Sequence, residues 1–215
     1  MSPIERLVRD AASLGVQLSA QDAMRLMRLL AELAHWNRSY NLTAVTAPGE
    51  MVTRHLLDSL AIQADLAGAR IADVGTGAGF PGLPLALVNP TRQFTLIDSS
   101  GKKIRFVAHA VRTLGLSNVT ALQARVETLR PAVPFDTVIA RAFAPLPLLL
   151  ERAGHLCARG GQVLAMKGRW PARELEQLPA PWRVERSRTL AIPGLAAHRC
   201  VLVLKGGAEA APSSP

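Results

Sequence analysis

Apolar residues recur every three to four positions through the first seventy residues, and after that they come in short runs separated by helical stretches. Met24, Met27, Leu30, Leu33 and Ala34 are spaced for one face of a helix. Ser19, with Asp22 three residues on, predicts its start, because a serine hydroxyl can take up a backbone N–H left unpaired in the first turn. The helix is expected to end between Asn37 and Asn41. A second segment, 50–66, places Val52, Leu56, Leu57, Leu60 and Ala61 on one side and is expected to pack on the first. From Arg70 onward strand and helix patterns alternate. Strands are expected at 70–74, 93–97, 119–124, 137–140 and 162–166, with helices at 83–88, 102–114 and 147–157, and Arg159-Gly160-Gly161 reads as a helix stop. A short helix follows at 172–178. The extended stretches 182–192 and 198–205 are joined by Pro193-Gly194-Leu195, which leaves no room for a crossover helix, so they are expected to pair antiparallel.

This alternation predicts an α/β protein with a doubly wound, mostly parallel sheet covered on both faces, preceded by an N-terminal helical extension. Its division is expected at 1–66 for the helical part and 67–205 for the sheet domain, with 206–215 small and polar enough to be a disordered tail.

The most informative run is Asp73-Val74-Gly75-Thr76-Gly77-Ala78-Gly79-Phe80-Pro81-Gly82, placed between the first strand and the first helix of the sheet. Alternate glycines allow positive φ and let a ligand approach main-chain N–H groups that a Cβ would block. An acid two positions before Gly-x-Gly-x-Gly looks like the first motif of S-adenosylmethionine-dependent methyltransferases. A dinucleotide reading overlaps it, since Gly77 to Gly82 also satisfies G-x-G-x-x-G. Pro81 counts against that reading, because it removes an N–H where a helix start would cradle pyrophosphate. A tight turn without any ligand is the plainest alternative.

In such sheets ligands lie beyond the carboxyl ends of the strands. Four loops are therefore singled out. Asp73 would orient the glycine turn or meet a cofactor amine; Asp98, with Ser99, ends the second strand a little over twenty residues past the glycines, where an acid could accept both ribose hydroxyls. Arg125-Val126-Glu127 follows the third strand and offers an apolar wall and one polar contact to an adenine. Arg141-Ala142-Phe143 follows the fourth and would face the transferred group. Each residue also has a structural alternative: Asp98 as a helix cap, Glu127 as a solvated carboxylate, Arg141 as a partner of Asp136 or Glu127.

The net charge of +9 changes the picture of the partner. It comes mainly from arginine, whose planar guanidinium makes bidentate phosphate contacts, so nucleic acid is favoured over small acids. Cys157 and Cys200 lack metal-ligand spacing and are expected to be packing residues; no metal is expected. No apolar run approaches a membrane span and the N-terminus lacks a signal peptide's apolar core, so a cytoplasmic, non-membrane protein is expected.

Two chemistries are disfavoured. After the fourth strand, Ala140-Arg141-Ala142-Phe143-Ala144-Pro145 lacks the Asp/Asn-Pro-Pro-aromatic turn of exocyclic-amine methylation, and neither cysteine is placed for C5 methylation of a pyrimidine. A ring nitrogen with a free lone pair, such as guanine N7, needs no general base, and catalysis would rest on alignment and charge placement. His55, Asp58 and Ser59 share a helical face but cannot form a hydrolase triad within one turn; a structural cluster joining the N-terminal helices to the sheet is expected. Lys167 could reach an RNA phosphate or solvent.

The motifs together resemble the bacterial small-subunit ribosomal RNA methyltransferase G family, also called glucose-inhibited division protein B. The resemblance runs from His35-Trp36-Asn37 and Tyr40-Asn41-Leu42-Thr43, through Arg54-His55-Leu56-Leu57-Asp58-Ser59 and the glycine turn, to Asp98-Ser99 with Lys102-Lys103, Arg125-Val126-Glu127, Arg141-Ala142-Phe143-Ala144 and Lys167-Gly168. It implies a seven-stranded Rossmann-like class I fold, S-adenosyl-L-methionine as cofactor, and methyl transfer to guanine N7 of 16S ribosomal RNA in the small subunit or its assembly precursor; the sequence does not fix the oligomeric state, and a monomer is expected. The cofactor set is then Asp73, Gly75, Gly77, Gly79, Phe80, Asp98, Ser99, Val126, Glu127 and Arg141, with Arg141 also aligning the reaction. Lys102, Lys103, Arg125 and Lys167 are the candidates for RNA. Ala78 and Phe80 stand where relatives often have proline and a smaller aliphatic residue. A methyltransferase of similar fold for a small molecule or another RNA, and an RNA-binding module without activity, stay open.

Overall fold

The computed structural model describes residues 1–206; most of the expected tail, 207–215, lies outside the described residues. Seven strands form one sheet in the order β3-β2-β1-β4-β5-β7-β6. They are β1 (Arg70–Val74), β2 (Gln93–Asp98), β3 (Val119–Gln123), β4 (Phe135–Arg141), β5 (Cys157–Lys167), β6 (Arg183–Thr189) and β7 (Cys200–Lys205). The first five run parallel, and β7 enters antiparallel between β5 and β6. Chain order reverses at β1, whose two neighbours are β2 and β4, so the carboxyl ends of those strands open a crevice at this switch point.

Helices α1 (Pro3–Ser13), α2 (Ala20–Tyr40), α3 (Pro48–Met51) and α4 (Asp58–Leu60) precede the sheet, and α5 (Gly82–Val88), α6 (Gly101–Leu114), α7 (Leu146–Ala153) and α8 (Ala172–Leu175) connect its strands. One face of the sheet shares a continuous apolar cluster with the N-terminal helices, α5 and α6, among them Leu7, Leu26, Leu33, Leu56, Leu83 and Phe106. The opposite face packs on α7 through Val74, Val138, Leu149 and Val163. Burying both faces explains why the central strands read as apolar runs and not as alternations.

Ser19 caps α2 as expected, its hydroxyl accepting the Asp22 N–H at 3.0 Å. The stripe on that helix is corrected. Ala23, Leu26, Leu29, Leu30 and Leu33 are buried, whereas Met24 is 52% exposed and Ala34 is exposed. The helical spacing holds; the large methionine draws the face toward the wrong edge. Helix α1, missed by apolar spacing, is opened by a reciprocal cap in which Ser2 and Glu5 bond each other's backbone N–H. The single helix expected over 50–66 is instead α3, a π-helical stretch Val52–Leu57, α4 and a 3-10 turn, Gln63–Asp65.

The expected helix 147–157 ends earlier, and Arg159-Gly160-Gly161 is not a helix stop but lies inside β5. Gly160 has φ +79°, and a Cβ on Gly161 would fall 2.8 Å from the carbonyl of Asp136; the pairing register with β4 shifts there. The glycines make a bulge that lets β5 start at Cys157. Both cysteines are free, and burial pushes the Cys157 thiol up to about 12, so it is an inert packing group. No described helix is long and apolar enough to cross a membrane, and the described residues contain no cluster of three metal-ligating side chains.

Candidate active site

The glycine turn is organised from below by Asp73. Its Oδ2 accepts the Thr76 hydroxyl at 2.6 Å and the Gly82 N–H at 2.9 Å, which locks the turn onto the first residue of α5. A Cβ on Gly82 would stand 2.8 Å from that same oxygen. Oδ1 is buried with no hydrogen-bond partner, and burial pushes the carboxyl up to about 6. Gly75, Gly77 and Gly79 all have positive φ. Only glycine takes this conformation without strain at successive alternate positions.

Two chambers flank the turn. The first, about 360 Å³, is lined by Asp98, Ser99, Lys103, Arg125, Val126 and Glu127, with Phe143 closing one side. Asp98 Oδ1 accepts the Ser100 N–H at 2.8 Å, Oδ2 accepts the Gly77 N–H at 3.0 Å, and Lys103 Nζ stands 3.5 Å from Oδ2. The acid therefore ties the glycine turn to the end of β2. Glu127 pairs with Arg152 at 3.5 Å across the same chamber.

The second chamber, about 530 Å³, lies between the sheet and the π-helical stretch. Its wall carries Thr43, His55, Gly77, Phe80, Arg141 and Arg199, together with Asp58 and Lys167. His55 stacks on Phe80 with ring centres 4.7 Å apart, and its Nε2 faces the Thr43 hydroxyl at 3.1 Å. Burial and then the Arg141 charge lower its pKa to about 4, so the ring is neutral at pH 7. A π-helical stretch shifts the backbone pairing by one residue, Asp58 N–H bonding Thr53 O, and the carbonyl of Arg54 accepts Arg141 Nη1 at 3.0 Å. Gly75 and Ala142 line both chambers. Ala142 holds φ +51°, a conformation that L side chains avoid, where the two spaces meet.

The structure distributes the sequence candidates. Gly75, Asp98, Ser99, Val126 and Glu127 border the first chamber; Gly75, Gly77, Phe80 and Arg141 border the second; Asp73 and Gly79 sit behind the turn. Lys103 and Arg125 line the first chamber, Lys167 the second, and Lys102 is exposed and lines neither. Arg141 does not pair with Asp136 or Glu127. It binds Asp58 at 2.9 Å, while Asp136 accepts the N–H groups of Ala69 and Arg70 at the other end of the sheet. Lys167 binds Glu174 at 2.7 Å and the Ala144 carbonyl at 3.1 Å, and its partly exposed side chain borders the second chamber.

No hydrogen bond joins the His55, Asp58 and Ser59 side chains to one another. Ser59 donates to the His55 carbonyl, His55 faces Thr43, and Asp58 reaches across to Arg141 and Arg199. Arg199 is not among the sequence candidates; it sits next to β7, far along the chain from every motif, and only the sheet order brings it to the site. Glu174 is missed as well, yet it accepts both Lys167 and the Leu146 N–H that opens α7. Glu174→Gln is expected to cost about 1 kcal/mol of stability, as befits a partly exposed pair, with no loss of cofactor affinity; chemical denaturation and calorimetric titration measure the two.

A family described as "GidB: rRNA small subunit methyltransferase G" matches residues 22–203. The chain is 48% identical over 200 residues to the Ribosomal RNA small subunit methyltransferase G of Stenotrophomonas maltophilia, covering 93% of each protein. It is 42% identical to the protein of that name from Psychromonas ingrahamii, covering 95% of this chain and 99% of the relative. Among solved structures, coclaurine N-methyltransferase bound to N-methylheliamine and SAH superposes over 77% of this chain and 74% of its own, with TM-score 0.59 and 13% identity. TrmN from Thermus thermophilus covers 72% of this chain and 53% of its own, with TM-score 0.55 and 23% identity. At these identities the structural likeness establishes the fold alone.

Proposed function

Since this chain belongs to the family of rRNA small subunit methyltransferase G, we propose that it transfers the methyl group of S-adenosyl-L-methionine to guanine N7 in 16S ribosomal RNA of the small subunit or its precursor. Its class I methyltransferase fold and its relatives make it a ribosomal RNA methyltransferase that uses S-adenosylmethionine. The choice of N7, and of the residues that serve it, rests on the site.

The residues present fit the cofactor. Gly75 lets the Phe143 ring close against the turn, since a Cβ there would stand 2.5 Å from that ring; Asp98 offers carboxylate oxygens beside the turn; and Asp73 keeps one buried oxygen without a partner. S-adenosylmethionine, when bound, supplies an electrophilic methyl group on a positively charged sulfur. Asp98 would hold the ribose, Val126 and Phe143 would wall the adenine, and Glu127 would make its polar contact. Gly75 and Gly77 would let the methionine part lie against the turn toward the second chamber.

The observation that carries the proposal is that the nucleoside-sized chamber and a basic chamber meet at Gly75 and Ala142. A base entering the second chamber would face the first across that junction. No group on its wall is suited to remove a proton: Asp58 is committed to two arginines, and the His55 nitrogen without a partner is sealed from the chamber in a ring with pKa about 4. Guanine N7 has a free lone pair and no proton to lose, so alignment by His55, Phe80 and Arg141 is enough. An unpaired base turned outward from its RNA strand fits such a chamber, and a ribosomal RNA substrate would place the reaction in the cytoplasm.

The test uses purified protein, methyl-labelled S-adenosylmethionine and small subunits lacking the modification. Label is expected in 16S RNA at one guanine, with the borohydride and aniline sensitivity that marks N7-methylguanine. Label in another RNA or a small molecule instead would overturn the substrate, and no heat on titrating S-adenosylmethionine would overturn enzyme activity itself.

A further inference from the structure

The second chamber carries four basic side chains and one acid, and the acid serves two of them. Lys167 is taken by Glu174 at 2.7 Å, and Arg54 leans toward Glu50 at 3.7 Å. Arg141 and Arg199 instead converge on Asp58, whose side chain is only 4% exposed: Oδ2 accepts Arg141 Nη1 at 2.9 Å and Oδ1 accepts Arg199 Nε at 3.1 Å. The remaining contacts of the two guanidinium groups are to backbone carbonyls, Arg141 Nη1 to Arg54 and Arg199 Nη1 to His198. Among the described residues, Arg141 Nε and Nη2 and Arg199 Nη2 have no acceptor.

One carboxylate between two guanidinium groups leaves one positive charge uncompensated in a partly enclosed space. It also fixes one edge of each fork and leaves the other edge open. A buried ion pair is weak as a stabilising device, because desolvation offsets most of its attraction, so stability alone gives little reason for the second arginine. An incoming anion that accepts several N–H groups at once does.

We propose that Asp58 is a positioning residue that sets Arg141 and Arg199 as a clamp for one phosphodiester group of the acceptor RNA, beside the base that enters the second chamber. This rests on the RNA substrate proposed above. Asp58 comes from α4, Arg141 from the end of β4 and Arg199 from the approach to β7. The clamp is thus assembled only when the N-terminal helices and both halves of the sheet are docked.

The experiment measures three quantities for the full chain and for Asp58→Asn: KM and kcat with small subunits lacking the mark, S-adenosylmethionine affinity, and the salt dependence of subunit binding. The amide that replaces the carboxylate can accept from one arginine only and turns its NH₂ group to the other, so the forks lose their set. KM is expected to rise at least about tenfold and cofactor affinity to stay within about threefold, whereas the slope of log affinity against log salt should not shrink, because both arginines keep their charge. Arg199→Gln should raise KM likewise and, by removing a cation, shrink the salt slope by about one, and the double variant should raise KM no further than either single one, because both break the same clamp. A lowered melting temperature with unchanged KM would reduce Asp58 to a structural tie and overturn the proposal. If Asp58→Asn does not fold, Arg199→Gln decides alone, and unchanged KM and slope in it are equally fatal. Transfer of label to RNA by the unmutated protein is scored separately: its absence sinks the RNA reading, whereas its presence with indifferent variants sinks only the clamp.

Discussion

Replacement of Asp98 by alanine is expected to weaken S-adenosylmethionine binding about a hundredfold, read by calorimetric titration. Two losses add. The ribose loses an ionised acceptor, and a hydrogen bond to a charged group contributes about 1.5–3 kcal/mol. The Gly77 and Ser100 N–H groups, now 3.0 and 2.8 Å from the carboxylate, lose theirs as well, so the glycine turn is no longer moored to β2. Lys103, 3.5 Å away, would then hold an uncompensated charge inside the nucleoside chamber. Asp98→Asn separates the two losses. Its amide oxygen still accepts one N–H while its NH₂ group opposes the other, so affinity is expected between that of the alanine variant and the unmutated chain. Unchanged affinity in the alanine variant would remove Asp98 from the ribose, and a loss confined to stability would leave it only the mooring role.

How far the sequence discloses this site depends on the kind of signal each residue carries. Strand β1 is legible to the residue because an apolar run stops at a cluster of glycines whose only economical explanation is a tight turn. Asp98, Val126 and Arg141 are legible because each stands at or just past the carboxyl end of a strand, and those ends share one edge of a parallel sheet. Gly160 misleads for the opposite reason: a glycine pair after a helix resembles a stop, and nothing local reveals that it bulges a strand. The π-helical stretch is equally silent, since its side chains recur almost as an α-helix's do while its carbonyls are displaced toward Arg141. Arg199 belongs to no motif. Its proximity to Asp58 follows from β7 inserting beside β5, a fact of topology and not of spacing. Asp58 stands out in the sequence for its face of the helix, yet its partners lie 83 and 141 residues away.

The Asp73→Asn substitution is expected to make the protein acid-sensitive where the unmutated chain is not. Two buried groups titrate in the same window with opposite sign. Asp73 rises from 3.8 to about 6 on folding, so the folded state holds its proton more tightly; stability is undiminished below pH 3.8 and falls by about 3 kcal/mol as pH climbs through 6. His55 falls from 6.5 to about 4, so the unfolded state takes the proton first; its contribution is intact above pH 6.5 and declines by about 3 kcal/mol as pH drops through 4. The two slopes nearly cancel between pH 4 and 6.5. Asp73→Asn keeps an acceptor for Thr76 and Gly82 while removing one slope, so urea unfolding should show stability dropping by about 3 kcal/mol from pH 6.5 to 4. His55→Gln should show the mirror image, gaining stability over that span. If both variants follow the unmutated pH profile, the carboxyl and the imidazole are not buried as described. The same proton bears on the cofactor: a ligand ammonium beside Asp73 would favour the carboxylate, so S-adenosylmethionine binding should release a proton near pH 6 and tighten above it. In Asp73→Asn that pH dependence disappears, whereas a carboxyl that serves only the glycine turn would leave it untouched.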